Sequence, residues 1–210
     1  MSSPPGRPSL WREALPLAVA GSAVFLSLYC FTNWLTSLRS NVGTWQFAWE
    51  DRIPFVPWMM WPYLSEDVLF VLAFFVCTSR SEVWTHFKRI VAANAIAAIC
   101  FLLFPLRMAP TRPDHVDGPL RPLVWLQYTL DRPYNLVPSL HIAQGVLVWA
   151  VFARHTRPPM RWLVHGWFLL ICVSTLFTCQ HRLVDVITGL MLGALCWWMI
   201  RDPGVDRPAD

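Results

Sequence analysis

Six long runs of apolar residues follow one another along this chain and are separated by polar segments. They occupy residues 14–35, 58–79, 90–106, 137–153, 162–179 and 183–200. A helix that crosses the hydrocarbon core of a bilayer needs about 17–25 residues. Because lipid offers no hydrogen-bond partners to the backbone, such spans are helical. The sequence therefore predicts an all-α fold, an integral membrane six-helix bundle, in which residues 1–210 form a single six-span membrane domain.

Composition agrees with a chain whose solvent is the bilayer. Of the 210 residues, 55% are hydrophobic and 14% are charged, and the mean hydropathy is +0.41, a balance that is rare among soluble domains. The net charge of +4 comes almost entirely from arginine, since Lys88 is the only lysine. The basic residues lie mainly in the turns, a distribution that favours membrane orientation over nucleic-acid binding. No nucleic-acid partner is expected.

The basic residues divide unequally between the two sides of the predicted bundle. Ten of the 17 lie in the N-terminus, the second and fourth turns and the C-terminus, and the rest lie in the first, third and fifth loops. The positive-inside rule therefore predicts that both termini are cytoplasmic, with short tails at about 1–12 and 202–210. The long third loop then lies on the extracytoplasmic face.

Two histidines and an aspartate stand at the starts of two predicted spans. His141 opens the fourth span, and His181 and Asp185 open the sixth. Two crossings return the chain to the same face, so both histidines and the third loop emerge on one side. The i, i+4 spacing of His181 and Asp185 lets the carboxylate hold one ring nitrogen and leaves the other free to attack. His141 can then protonate a leaving oxygen as general acid.

Residues around these histidines are suited to binding a phosphate group. Pro138 fits the first turn of a helix, whose N–H groups near Ser139 and His141 would point at an anion. The Ser139 hydroxyl and the Arg112 guanidinium could complete the cradle. The residues themselves thus predict Arg112 and Ser139 as phosphate-binding side chains.

Three segments in order resemble the type-2 phosphatidic acid phosphatase superfamily. They are Arg112-Pro113, Pro138-Ser139-Leu140-His141 and His181-Arg182-Leu183-Val184-Asp185. The resemblance covers nearly the whole chain. In that family the second histidine attacks phosphorus to give a phosphohistidine, the first protonates the leaving group and the aspartate orients the nucleophile, without a metal. The resemblance gives those roles to His181, His141 and Asp185, and it implies no cofactor.

The chain departs from the usual family motifs at three positions. Pro105 stands where the first motif usually has lysine, Leu140 replaces the glycine before the first histidine, and Thr175 replaces the arginine of the third motif. The resemblance adds Arg107, as a substitute for that lysine, and Arg182, in the third segment, to the predicted phosphate-binding residues. The Ser-Leu-His and Gln-His forms look closer to the branch that includes inositol-phosphoceramide and sphingomyelin synthases, whose members are transferases as well as hydrolases in their chemistry.

The sequence and the resemblance together predict an enzyme that acts on a phosphorylated lipid among membrane lipids. The leading prediction is a phosphoric ester hydrolase, a metal-independent lipid phosphatase acting on a lipid phosphate or diphosphate through a phosphohistidine. The alternative is a phosphotransferase that passes a phosphoryl head group to an alcohol. A non-catalytic lipid transporter or lipid-binding membrane protein is a third reading. A metal held by the two histidines and Asp185 would have no obvious fourth ligand.

Glu66 and Asp67 in the second span stay unassigned. Acidic residues within a span are typical of functional sites. If the helix begins beside them instead, both carboxylates reach water and need no function.

Overall fold

The computed structural model describes residues 10–108, 112–113 and 116–203, which are largely helical. Over these residues, seven α-helices follow one another, joined in the first loop by two short 3-10 turns, and only isolated β-bridges occur. The helices are α1 (Trp11–Ser37), α2 (Met60–Val76), α3 (Arg80–Leu103), α4 (Arg121–Leu130), α5 (Leu140–His155), α6 (Met160–Phe177) and α7 (Leu183–Met199). Six of them match the six apolar runs, so the all-α six-helix prediction is confirmed, and α4 is an additional helix within the third loop. The predicted tails lie mostly outside the described residues.

The six long helices differ in length. Within the part of the chain that the structure describes, four segments are long and apolar enough to cross a membrane, namely Trp11–Ser37, Pro57–Val76, Arg80–Leu103 and Met160–Phe177. Helix α7 is apolar but has 17 residues, and α5 has 16, which corresponds to about 24–26 Å of helix. Both short helices follow extended residues, Ser139 and Arg182. Helix α5 therefore begins one residue before His141, whereas His181 lies in the turn before α7 and only Asp185 lies in that helix.

Pro138 lies outside helix α5. Ser139 is the N-cap, with an extended backbone, and its side-chain oxygen accepts a hydrogen bond from the N–H of Ile142. This is the usual role of serine at a helix start. The predicted place of Pro138 in the first turn is wrong, because the capping serine follows the proline and the helix begins only after it.

A continuous apolar core runs through the bundle. Helix α1 packs mainly on α3, α5 packs mainly on α7, and α2 lies against α5 and α6. The middle of the bundle is filled by large buried side chains, including Phe74, Ile90, Leu147 and Ile171. The outer surface carries many exposed leucine and tryptophan side chains, as a lipid-facing surface requires.

Helices α5 and α7 approach each other closely because α7 presents two glycines one turn apart. A Cβ atom on Gly189 would lie 2.6 Å from the backbone oxygen of Ser139, and one on Gly193 would lie 2.7 Å from that of Ala143. Small residues at this spacing are typical of close helix contacts in membranes. The contact places the starts of α5 and α7 side by side, where the Ser139 N–H donates to the backbone oxygen of Asp185 at 3.1 Å.

The two ends of the bundle have different polar contacts. At the end that holds the start of α1 and the second and fourth turns, Arg80 pairs with Glu13 at 2.9 Å and Glu82 lies 2.7 Å from His155. Ser81 also donates to Asp202 there. The first, third and fifth loops meet at the opposite end, where the predicted catalytic residues lie.

Candidate active site

A cavity of about 310 Å³ lies at the loop end of the bundle, and both predicted catalytic histidines line it. Its walls come from α1, α2, α4, α5 and the turn between α6 and α7. Besides the histidines, its polar lining consists of Tyr29, Tyr63, Glu66, Asp67, Gln127, Asp131, Asn135 and Gln144. The packing of α5 on α7 thus brings two histidines that are far apart in sequence to one space.

The turn after α6 holds the backbone of His181. Cys179 has a positive φ of 53°, a left-handed conformation that ends the helix and bends the chain back. The N–H groups of Gln180 and His181 then both donate to the backbone oxygen of Thr175, each at 3.1 Å. Thr175 itself is fully buried. Thr175, which stands where the third family motif usually has arginine, therefore anchors the turn through its backbone oxygen.

Asp185 faces the ring of His181 from the first turn of α7. Its Oδ2 atom lies 3.4 Å from His181 Nδ1, and the same oxygen accepts a hydrogen bond from the Arg182 N–H at 2.8 Å. The aspartate is buried, with 1% of its surface exposed. Because the carboxylate lies on the Nδ1 side, Nε2 of His181 is the nitrogen on the far side of the ring from Asp185.

His141, the second residue of α5, is held between two side chains of α2. Its ring stacks on that of Tyr63, with 4.3 Å between centroids and 7° between planes. Its Nδ1 atom lies 3.5 Å from Oε2 of Glu66. Nε2 of His141 is buried without a hydrogen-bond partner among the described residues. The imidazole is therefore fixed in plane, with one nitrogen facing a carboxylate.

Glu66 and Asp67 have different environments. Helix α2 begins at Met60, so both lie inside it. Glu66 is 2% exposed, whereas the Asp67 residue is exposed at the surface. One atom each from Glu66, Asp67 and His141 lies within 4.8 Å of the others, an arrangement that could hold a divalent cation. The helix therefore does not begin beside the pair, as the interfacial reading required, and both carboxylates line the cavity.

Arg112 joins the third loop to the turn that carries His181. Its guanidinium donates to the backbone oxygen of Asp131 and to Oε1 of Gln180, each at 2.9 Å, and lies 4.6 Å from the ring centre of Tyr128. Its Nε atom is buried without a hydrogen-bond partner within the described part of the chain. Arg112 is thus held next to His181 through Gln180.

Asp131 is the acidic residue on the loop side of the cavity. It accepts a hydrogen bond from the Tyr29 hydroxyl of α1, and its Oδ2 atom lies 3.8 Å from Arg112. Burial raises the pKa of the Asp131 carboxyl above its ordinary value, while the Tyr29 hydrogen bond and the Arg112 charge act in the opposite direction. Asp131 therefore ties α1 to the third loop.

None of the four predicted phosphate-binding residues, Arg112 included, is among the described residues that line the cavity. Ser139 is fully buried and its hydroxyl caps α5. Arg107 is exposed, and its backbone pairs with Gly43. Arg182 is buried, with its guanidinium 3.6 Å from Asp51. Of the four, Arg112 lies nearest to the histidines along the hydrogen-bond network.

Several residues around the site were missed by the sequence reasoning. Gln180 directly precedes His181 and binds Arg112, a role that its position next to the histidine could have suggested. Glu50 is buried in the first loop and accepts the Leu183 N–H at 2.7 Å, at the start of α7. Tyr63 stacks on His141. Neither Glu50 nor Tyr63 carries a local sequence signal, because both act through contacts between distant segments.

Comparison with known proteins assigns this chain to a family. The family model described as the PAP2 superfamily matches residues 37–199. This chain belongs to the PAP2 superfamily. The resemblance inferred from the three motifs is therefore confirmed, and with its apolar helices this PAP2 protein is an integral, multi-pass membrane protein.

One curated relative of this PAP2 protein is the inositol phosphorylceramide synthase catalytic subunit aur1 of Schizosaccharomyces pombe. The two are 31% identical over 212 residues, which cover 91% of this chain and 47% of the relative. The chain thus spans about half the length of that relative. No solved structure matches the chain.

Proposed function

We propose that this PAP2 protein is a lipid phosphatase that hydrolyses a lipid phosphate or diphosphate through a phosphohistidine on His181. Nε2 of His181 attacks phosphorus while the bond from phosphorus to the lipid oxygen breaks. His141 donates a proton to that oxygen. Water then attacks the phosphohistidine, His141 takes a proton from the water, and the bond between nitrogen and phosphorus breaks.

The observation that carries this proposal is the shared cavity of His141 and His181, with Asp185 behind the second ring. Two-step transfer needs a nucleophile and a proton donor on opposite sides of one phosphorus atom. Asp185 lies on the Nδ1 side of His181 and stabilises the positive ring that forms during attack. The chain's own residues therefore supply each proton transfer that the two steps require.

The start of helix α5 and Arg112 support the binding of phosphate in this cavity. The cap uses the N–H of Ile142, so the N–H groups of Leu140 and His141 have no partner within the helix. A helix start with such donors attracts anions. Arg112 adds a full positive charge next to Gln180 and keeps an Nε–H without a partner among the described residues.

Transfer to an alcohol is the second candidate function, and the curated relative favours it. That relative is named as a synthase subunit, and it matches nearly the whole of this chain. An alcohol can attack a phosphohistidine just as water can, because each supplies a hydroxyl oxygen that can attack phosphorus. A labelled phosphoryl head group would appear in free phosphate for hydrolysis and in a new lipid for transfer.

A transport function receives less support from the distribution of polar groups. A translocation path would carry polar residues across the whole bilayer. The cavity residues instead lie at the loop end, the ion pairs of Glu82 lie at the opposite end, and large apolar side chains fill most of the space between them. This arrangement supports a one-sided active site.

The arginine distribution supports an orientation with both termini in the cytoplasm and the cavity on the extracytoplasmic face. An impermeant thiol reagent should therefore label a cysteine introduced at Arg121, on the loop side, in intact cells. Labelling only after the cells are opened would reverse this orientation.

The test of the catalytic proposal is phosphate release from lipid phosphates and diphosphates by the purified protein in excess chelator. We expect His181→Ala to abolish release and phosphoenzyme together. His141→Ala should slow release by about 10²- to 10⁴-fold, the usual contribution of a general acid. Undiminished release by His181→Ala would rule out His181 as the nucleophile. The exposed Arg121→Ala variant, at the start of α4, is the matched control and should retain activity.

A further inference from the structure

The cavity contains a second pair of carboxylate and histidine, built from α2 and α5. Oε2 of Glu66 lies 3.5 Å from Nδ1 of His141, close to the 3.4 Å between Asp185 and His181. Both carboxylates are buried, at 2% and 1% exposed. We propose that Glu66 is the positioning residue of His141, holding its ring so that Nε2 delivers the proton to the leaving oxygen. This inference rests on the proposed function.

The position of the contact on the ring decides what Glu66 can do. A general acid must hold two protons, one on each nitrogen, and give up the one that faces the substrate. A carboxylate beside Nδ1 stabilises the protonated ring and fixes the other proton on Nε2. The 3.5 Å separation is longer than a hydrogen bond, and such catalytic contacts often tighten when substrate binds.

The contacts of Glu66 indicate which group can stabilise its carboxylate where it is buried in α2. Its Oε1 atom has no hydrogen-bond partner within the described part of the chain, and a buried charge without a partner is strongly destabilising. His141 is the only group with which Glu66 forms an ion pair among the described residues. A protonated His141 would supply the missing charge, so the two groups stabilise each other in the state that the reaction needs.

Other groups near His141 are placed differently from Glu66. Asp67 also lines the cavity, but it is exposed and forms no hydrogen bond or ion pair with the ring among the described contacts. Tyr63 covers one face of the ring. His181, Tyr29 and Asp131 are the remaining titratable groups that line the same space. Glu66 is thus the carboxylate positioned on Nδ1.

Glu66 keeps its charge through both steps of the reaction. The proton that reaches the leaving oxygen comes from Nε2 of His141, and the proton lost by the attacking water returns there. Nδ1 stays protonated beside Glu66 throughout. The carboxylate therefore acts through His141 and contacts neither phosphorus nor the leaving oxygen.

The test is the isosteric variant Glu66→Gln in the full chain, assayed with the lipid phosphate that the wild-type protein hydrolyses best. We expect kcat to fall by about 10²-fold, with KM little changed. The fall of kcat at high pH, which reports loss of the proton from His141, should move to lower pH. The reason is that the protonated His141 ring has lost the neighbouring carboxylate of Glu66. With an aryl phosphate, whose leaving group needs no proton, most of the loss should disappear.

A double variant separates positioning from a structural role. If Glu66 acts through His141, then Glu66→Gln combined with His141→Ala should be no slower than His141→Ala alone. The matched control is Glu82→Gln, which makes the same change in the buried Glu82–His155 pair at the opposite end. Glu82→Gln should keep the wild-type pH profile and leaving-group dependence per folded molecule.

Three results would overturn the assignment. They are a wild-type kcat and pH profile for Glu66→Gln, full additivity with His141→Ala, and activity that chelator removes and a divalent cation restores. The last result would make Glu66 a metal ligand with Asp67 and His141. If His141→Ala and His181→Ala are themselves fully active, the proposed function fails and this assignment fails with it.

Discussion

At the scale of single residues, the two histidines of the cavity differ in how firmly their carboxylates are held. Oδ2 of Asp185 also accepts the Arg182 N–H at 2.8 Å, at the positive start of α7. Among the described residues, no backbone N–H donates to Glu66 in this way, and its Oε1 atom has no hydrogen-bond partner there. In the proposed mechanism, the nucleophile therefore has a carboxylate held by the start of a helix, and the proton donor has a carboxylate whose ion-pair partner among the described residues is the histidine itself.

The charge of Asp185 is testable without removal of the helix cap. Asp185→Asn keeps an oxygen that can accept the Arg182 N–H, but it loses the anion that stabilises the attacking ring. We expect kcat to fall by about 10³- to 10⁴-fold, as when a triad aspartate is replaced by asparagine. Turnover and the amount of trapped phosphohistidine measure the effect.

Asp51→Asn is the control for Asp185→Asn. Asp51 is exposed and lies 3.6 Å from Arg182, so the change perturbs the same neighbour without touching either histidine. A wild-type kcat in Asp185→Asn, with unchanged thermal unfolding, would show that His181 needs no orienting carboxylate.

The grouping of His141, His181 and Asp185 at one site could be predicted from the sequence, because its signals are local. His181 and Asp185 are four residues apart in the sequence, and His141 follows Pro138-Ser139 at the start of a predicted span. The partner of His141 was not predictable, since it depends on how α2 packs against α5. Hydropathy shows that Glu66 lies in a span, but not which neighbour its carboxylate faces.

At the scale of helices, the boundary of α3 shows what hydropathy leaves out. The apolar run predicted a span at 90–106, but the helix begins at Arg80. Ser79 caps it by accepting the Glu82 N–H at 3.1 Å, and Glu82 and Arg89 are buried through ion pairs and hydrogen bonds to other helices. Charged residues that find partners can extend a helix beyond its apolar part. Helix α4 escaped prediction because it is short and lies in a loop.

The close contact between α5 and α7 predicts that one added methyl group lowers both thermal stability and turnover. Gly189→Ala would place a Cβ atom 2.6 Å from the Ser139 backbone oxygen, so α5 must move away from α7. We expect lower thermal stability in detergent, by about 1–3 kcal/mol as for other overpacked sites. Turnover should fall as well, because the shift separates His141 from His181. Thermal unfolding and kcat measure the two effects.

Gly166→Ala is the control for the glycine contact. Gly166 lies in α6 with no atom within 4 Å of an added Cβ, so alanine should be neutral or raise stability by about 0.5–1 kcal/mol through helix propensity. Equal behaviour of Gly189→Ala and Gly166→Ala would mean that the close approach of α5 and α7 is not needed for the site.

At the scale of the whole molecule, the site lies in a cavity whose wall is partly lipid-facing. Leu26 of α1 and Leu130 of α4 both line the cavity, and they are 55% and 72% exposed. Beside these two leucines, the cavity lining reaches the exposed apolar surface of α1 and α4, and we call the space between the two side chains the gap. A lipid could place its phosphate at the histidines through this gap while its acyl chains stay in the bilayer, where removal of apolar chains would cost about 0.8 kcal/mol per CH₂.

This route predicts that narrowing the gap slows long-chain lipids selectively. Leu26→Trp combined with Leu130→Trp should reduce turnover of a lipid phosphate in vesicles by roughly ten-fold, about 1.4 kcal/mol of added barrier. A short-chain, water-soluble phosphate should be hydrolysed at the wild-type rate, because it need not pass between α1 and α4. The matched control is Leu15→Trp, an equally exposed position on α1 away from the cavity. Equal loss for both substrates would place the damage in the catalytic residues, and no loss for either would place lipid access elsewhere on the bundle.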